Sequence, residues 1–133
     1  KLYQNIDFLG WKDEKGLEEM YQNSRALLLT SKFEGLPMVV VEAMSHNLPV
    51  FVTSVGDLPW LVRDGVEGRI VSHGDTQKMS AVISEALLDV QSLEKMGLLA
   101  YMRIESLLPE FDSETVSGIW LKMFNSVAQK GYI

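Results

Sequence analysis

The chain has 133 residues, 47% hydrophobic and 23% charged, with a net charge of −6 and no cysteine. That is enough for one domain with its own core, and the acidic balance argues against nucleic acid or an anionic membrane surface as partner for most of its surface. The absence of cysteine excludes a disulfide framework and a thiolate metal site, and no apolar run approaches the roughly 20 residues that cross a bilayer.

Ile6-Asp7-Phe8-Leu9 is short, apolar and ends at Gly10, the pattern of a strand running into a turn. Leu17, Met20 and Tyr21 share one helical face over Lys12 to Asn23. Ala26-Leu27-Leu28-Leu29-Thr30 is a continuous apolar run, as for a strand covered on both faces. After the loop 31–36 a helix is predicted from Pro37 to His46. Proline suits the first helical position, and Asn47 suits the left-handed residue that ends a helix. Pro49 to Thr53 reads as the next strand, Leu58 to Val62 as a short helical turn, and Gly68 to Val71 as a further strand.

Beyond residue 74 the pattern is helical. Asp75 or Thr76 can cap a helix whose face is Met79, Val82, Ile83, Ala86 and Leu87. A second helix covers Ser92 to Leu107, and a third starts near Ser113 with a stripe from Val116 to Val127. Strands alternating with helices imply an α/β fold: a Rossmann-like parallel sheet flanked by helices, with extra C-terminal helices. The chain starts at Lys1, almost directly on a strand-like segment, so it is expected to be one domain, 1–133, cut from a longer protein.

In such a sheet ligands bind beyond the carboxyl ends of the strands. The loops after Leu9, Thr30 and Thr53 lie there, and they carry Gly10, Gly35 and Gly56. The middle loop holds Glu34 and feeds a helix N-terminus, whose free N–H groups favour an anion such as a phosphate. The candidate donors are the amides of Gly35, Leu36, Met38 and Val39; Pro37 has none. Glu42 lies seven intervening residues on, among Val39-Val40-Val41 and Ala43-Met44. A carboxylate in such company is costly unless something polar meets it. Its side chain leans back toward the same helix end, and an ionised glutamate accepts hydroxyls but repels phosphate. The amides therefore suit a diphosphate and the two glutamates the sugar hydroxyls at either end. Taken alone, Glu42 reads equally well as half of a core ion pair, and Glu34 as an ordinary loop acid. With only His46 and His73 as histidines, no metal site is expected.

Ser31-x-x-Glu34-Gly35-Leu36-Pro37-Met38, continuing to Glu42-Ala43-Met44, resembles the E-x7-E motif of the retaining glycosyltransferases of family 4. Leu48 to Gly56 and then Leu61-Val62-x-Asp64-Gly65-x-x-Gly68 resemble the family's downstream pattern in order and spacing. Asp7-Phe8-Leu9-Gly10 is similar to its upstream strand and turn, so the likeness covers roughly residues 5 to 90. It implies a GT-B fold of two Rossmann-like domains facing a cleft, of which this is most of the C-terminal, donor-binding one. By that likeness Glu34 contacts the donor sugar and is the catalytic candidate. Glu42 holds the ribose, amides of Gly35, Leu36, Met38 and Val39 meet the diphosphate or sugar, and backbone at Leu9 and Gly10 meets the base. Transfer would retain anomeric configuration and need no metal or other cofactor. The family's basic pair that neutralises the diphosphate would precede residue 1. The chain departs from the family at Gly56-Asp57-Leu58-Pro59-Trp60, where Gly-Gly-x-x-Glu is usual, and at Asn47, where glycine is common.

The expected partners are a nucleotide-sugar donor, a sugar or lipid-linked acceptor, and the missing N-terminal domain. Polysaccharide or glycoconjugate assembly in the cytoplasm is the setting this implies, at the inner membrane face if the missing half carries a membrane surface. A GT-B-like nucleotide-sugar epimerase and a non-enzymatic Rossmann-like binding domain are the alternatives. The missing G-x-G-x-x-G argues against dinucleotide binding.

Overall fold

The computed structural model describes residues 5–107. In chain order these form α1 (Glu14–Asn23), β1 (Leu27–Leu29), α2 (Met38–Ser45), β2 (Val50–Thr53), α3 (Leu58–Leu61), β3 (Gly68–Val71), α4 (Thr76–Leu88) and α5 (Val90–Leu107). The three strands make a parallel sheet in the order β1-β2-β3. Leu27 is in register with Val50, and Val50 with Gly68. Each pair of neighbouring strands is joined through a helix, the connection that parallel pairing requires.

β2 is the middle strand, and all four of its residues are buried. Successive side chains on a strand point to opposite faces, and the sheet accordingly carries two cores. On one face Val50 and Val52 pack with Val40, Val41 and Met44 of α2, Leu58 and Leu61 of α3, and Ala100 and Ile104 of α5. On the other, Phe51 packs with Val71, Met79, Val82 and Leu93. Full burial of such a side chain stabilises by roughly 1.5–3 kcal/mol, so this sandwich anchors the loops that leave β1 and β2.

The helix ends follow local chemistry. Asp13 caps α1 by accepting from the Gly16 amide, and Asp75 caps α4 by accepting from the Lys78 amide. Pro37 stands at the cap of α2, one residue ahead of the helix proper. Asn47 has φ 58°, the left-handed conformation expected after α2. α5 starts two residues before Ser92, because Asp89 accepts from the Ser92 amide through its side chain and from the Leu93 amide through its carbonyl. α5 then crosses the turn after α2 at Gly97, where an added Cβ would lie 2.0 Å from the Asn47 carbonyl oxygen.

Three expectations are corrected. The run Ala26–Thr30 does form a strand, but not one covered on both faces, since Leu28 is 52% exposed on β1. Ile6–Leu9 is not a strand: the segment has no regular structure, and Phe8 is 86% exposed. A strand needs a ladder partner, and among the described residues none flanks the outer edge of β1. Leu87 is 54% exposed rather than part of the buried face of α4. It stands roughly 80° round the helix from Met79, at the margin of the stripe. The third helix expected near Ser113, with its stripe from Val116 to Val127, lies outside the described residues.

The turn from α3 to β3 holds a charge that the sequence did not single out. Glu67 has no exposed surface, and its carboxylate is held by the backbone amide, Nε and Nη2 of Arg63. Its carbonyl accepts from the Val50 amide, so it sits where β2 and β3 begin. Beside it the Asp64 carboxylate accepts from the Ile70 amide at 2.9 Å and from Arg69 Nε at 3.1 Å. These bonds outweigh partial burial and hold its pKa below the ordinary 3.8.

Candidate functional site

The site is built where β1 and β2 end. The Thr53 hydroxyl donates to the Ser31 carbonyl at 2.6 Å, tying the start of the first loop to the end of β2. The Ser31 hydroxyl donates to Glu34 Oε1 at 2.5 Å, which turns that carboxylate back onto its own loop. The Asp57 amide donates to the Gly35 carbonyl at 3.0 Å and joins the second loop to the first. Gly56 makes the approach feasible. Its φ is 54°, and an added Cβ would stand 2.2 Å from the Glu34 carbonyl oxygen and 2.4 Å from that of Gly35. Gly56→Ala is therefore expected to displace the Glu34 loop and lower stability by about 2 kcal/mol. Parallel melting curves of the two forms check this.

The loop delivers the chain into α2 without a side-chain cap: Pro37 makes no such bond, whereas α1 and α4 have their aspartates. The Val40 amide turns back to the Pro37 carbonyl at 3.1 Å. The leading amides of Met38 and Val39 thus carry the positive end of the helix with no acid in its first turn. Gly35 and Val39 are exposed, and Leu36 and Met38 half-buried. Lys32 lies over the Phe33 ring at 5.2 Å on the same loop, and that ring is exposed.

Glu42 lies on α2, half-buried. Its Oε2 accepts from the Tyr21 hydroxyl of α1 at 2.8 Å. The Tyr21 ring stacks on His46 at 4.8 Å between centroids. His46 sets Nδ1 2.8 Å from the Glu42 carbonyl and Nε2 2.6 Å from Glu18 Oε2. Burial, then the bond to Glu42, pushes the Tyr21 pKa above the usual 10.0. The phenol therefore remains a donor, and the contact holds, until pH rises well past that value. The hydrogen bond to His46, with a second from Gln22, lowers the Glu18 pKa from 4.5.

The expected residues divide into three groups. Glu34 and Gly35 are drawn against Ser31, Gly56 and Asp57, with Leu36, Met38 and Val39 following into α2. Glu42 joins Tyr21 and, through it, α1. Leu9 and Gly10 stay exposed ahead of α1, without a bond to the Glu34 loop among the described residues. The sequence reading missed Ser31 and Tyr21 as partners of the two acids. Tyr21 had counted only as one of the apolar positions of α1, although a tyrosine on a half-buried face needs a partner for its hydroxyl.

A cavity of about 340 Å³ opens beside this site, lined by Thr30 and Ser72 just after β1 and β3, by Thr53 at the end of β2, and by Asp75, Thr76, Met79, Ser80, Ile83 and Ser84 at the α4 side. Neither Glu34 nor Glu42 lines it. Glu67 lies at the opposite ends of the strands and belongs to the scaffold. Among the described residues no three His, Asp or Glu side chains converge as a metal set, and no helix is long and apolar enough to cross a membrane.

Residues 1–102 match the family of glycosyl transferases group 1. The chain belongs to that family. Its relatives include the N-acetyl-alpha-D-glucosaminyl L-malate synthase of Bacillus anthracis, 31% identical over 82% of this chain and 27% of that protein. They also include the O-antigen chain mannosyltransferase B of Escherichia coli, 32% identical over 63% of this chain and 22% of that protein. The chain thus spans about a quarter of the length of these group 1 relatives. Among solved structures it is similar to sucrose-phosphate synthase from Thermosynechococcus elongatus (TM-score 0.76, 24% identity, 95% of this chain and 30% of that one). It is also similar to the Anabaena HepE protein in complex with UDP-glucose (TM-score 0.74, 24% identity, 94% and 33%). These likenesses show the fold: an α/β unit of the GT-B kind.

Proposed function

We propose that this chain is the donor-binding domain of a glycosyltransferase, working with a second, acceptor-binding domain of the whole protein. The observation that carries the reading is an uncapped helix N-terminus with one acid on the loop before it and another on its second turn, each met by a hydroxyl donor rather than by a cation. A carboxylate neutralised by arginine or lysine has little left to offer a sugar. One that accepts a single hydroxyl keeps its charge and its remaining lone pairs.

In this reading the amides of Gly35, Leu36, Met38 and Val39 take the diphosphate of a nucleotide sugar. Glu34 takes hydroxyls of the transferred sugar, and Glu42 takes the ribose. Leu9 and Gly10 offer backbone to the base. The leaving nucleoside diphosphate is stabilised by the helix end, so no metal is needed, and the product keeps the anomeric configuration of the donor. The relatives' names, among them a lipopolysaccharide 1,6-galactosyltransferase of Salmonella typhimurium, support a sugar or lipid-linked acceptor in polysaccharide or glycoconjugate assembly. The setting proposed is the cytoplasm, with contact to the inner membrane face made by the other domain.

Calorimetry of the whole protein with UDP, GDP, ADP and their sugar conjugates tests this. One of them is expected to bind, and Glu42→Ala to weaken it at least tenfold, as for loss of a hydrogen bond to a charged group. Glu34→Gln is expected to lower turnover about a hundredfold, comparable to removing one transition-state contact. Absence of nucleotide binding by the intact protein would overturn the reading.

A further inference from the structure

We infer that Tyr21, on α1, is a positioning residue for the donor: its hydroxyl sets the Glu42 carboxylate to receive the ribose. The inference rests on the reading of Glu42 given above and goes beyond it, by assigning a part of the site to a helix that holds none of the expected ligand contacts.

A glutamate side chain has three rotatable bonds, and a ligand must bear the loss of that freedom if nothing else has fixed it first. Here the carboxylate is fixed beforehand. Tyr21 donates to Oε2 at 2.8 Å, which leaves Oε1 and the outer lone pairs for other donors. Tyrosine has only two side-chain torsions, and here its ring is stacked on His46. His46 is in turn bonded to both helices, through Nδ1 to the Glu42 carbonyl and through Nε2 to Glu18. Tyr21, Glu42, His46 and Glu18 thus close a circuit between α1 and α2 in which each member is held from two sides.

The chemistry of the donor decides between support and function. An arginine at this place would hold Glu42 as firmly, but it would neutralise the charge and occupy both oxygens. A phenol orients the carboxylate and leaves it anionic. It also polarises the group it touches, since hydrogen bonds in a half-buried network strengthen one another. A merely structural staple between the helices would have no need to end on the one acid of α2.

The test compares UDP, GDP and ADP with their 2′-deoxy and 3′-deoxy forms on the whole protein, using whichever base binds. Wild type is expected to favour the ribose form by about tenfold, the value of one charged hydrogen bond. Tyr21→Phe, which removes a single oxygen, should shrink that preference to threefold or less and leave the affinity for the deoxy forms within about twofold. Being a ratio within one variant, the preference does not depend on how much of the variant is folded. If Tyr21→Phe weakens ribose and deoxy forms equally, Tyr21 is only a staple and the inference falls. If Glu42→Ala abolishes the preference while Tyr21→Phe retains it in full, the reading of Glu42 stands and the positioning role fails. If wild type shows no ribose preference, or Glu42→Ala retains it, Glu42 does not hold the ribose and both fall together.

Discussion

Gly97→Ala should lower the thermal midpoint by about 10 °C or more. The new Cβ would stand 2.0 Å from the Asn47 carbonyl oxygen and 3.0 Å from its carbon. Both are backbone atoms of a turn already in the left-handed conformation, so neither can swing aside as a side chain would. α5 would have to lift from the sheet, and it carries Leu93, Ala100 and Ile104 into the two cores. Overpacking of this kind costs about 3 kcal/mol or more, a large share of the 5–15 kcal/mol that holds an ordinary domain together. Leu98→Ala, at an exposed position one residue on, is the control and should melt within a few degrees of wild type. A Gly97→Ala protein that melts with wild type would refute the contact between α5 and the Asn47 turn.

Arg63→Met should be comparably damaging, for an electrostatic reason. It strips the Glu67 carboxylate of the guanidinium while the backbone amide of residue 63 remains. A carboxylate with no exposed surface is then left with one donor, and isolating such a charge costs about 3 kcal/mol. The companion Arg63→Met/Glu67→Leu removes the charge itself and should recover most of the loss, since apolar groups of similar volume replace buried pairs well. Urea unfolding of the two variants checks this. Equal midpoints for single and double variants would mean that the carboxylate finds water, and that its burial is not what makes Arg63 necessary.

Much of the fold could be read in advance, because the governing interactions are local. Gly68 to Val71 is found at both its expected ends, Asp75 caps α4, and Asn47 takes the left-handed conformation foreseen for it. These depend on propensity, capping and backbone sterics over a few residues. The segment Ile6–Leu9 was misread because a short apolar run ending at Gly10 speaks only to a tendency, whereas strand formation depends on a neighbour for its hydrogen bonds. Glu67 was not singled out at all; its burial depends on Arg63 folding back over it. At the site, Glu34 and Glu42 stood out by motif and by apolar company. Their partners did not, since the bond from Tyr21 to Glu42 joins residues 21 apart in the chain, and the cavity at the strand ends needs α4 to complete it.

Finally, α1 contributes no buried residue to either core. The polar circuit on its inner side and the half-buried Tyr21 ring hold it in place, while the loop bearing Glu34 leaves β1 and is tied by the Thr53 hydroxyl to β2, which is buried throughout. Segments with so little apolar anchorage open on their own, far more often than the domain unfolds. The two acids are consequently steadied by different means: one through the keel of the sheet, the other through hydrogen bonds that act only while α1 is docked.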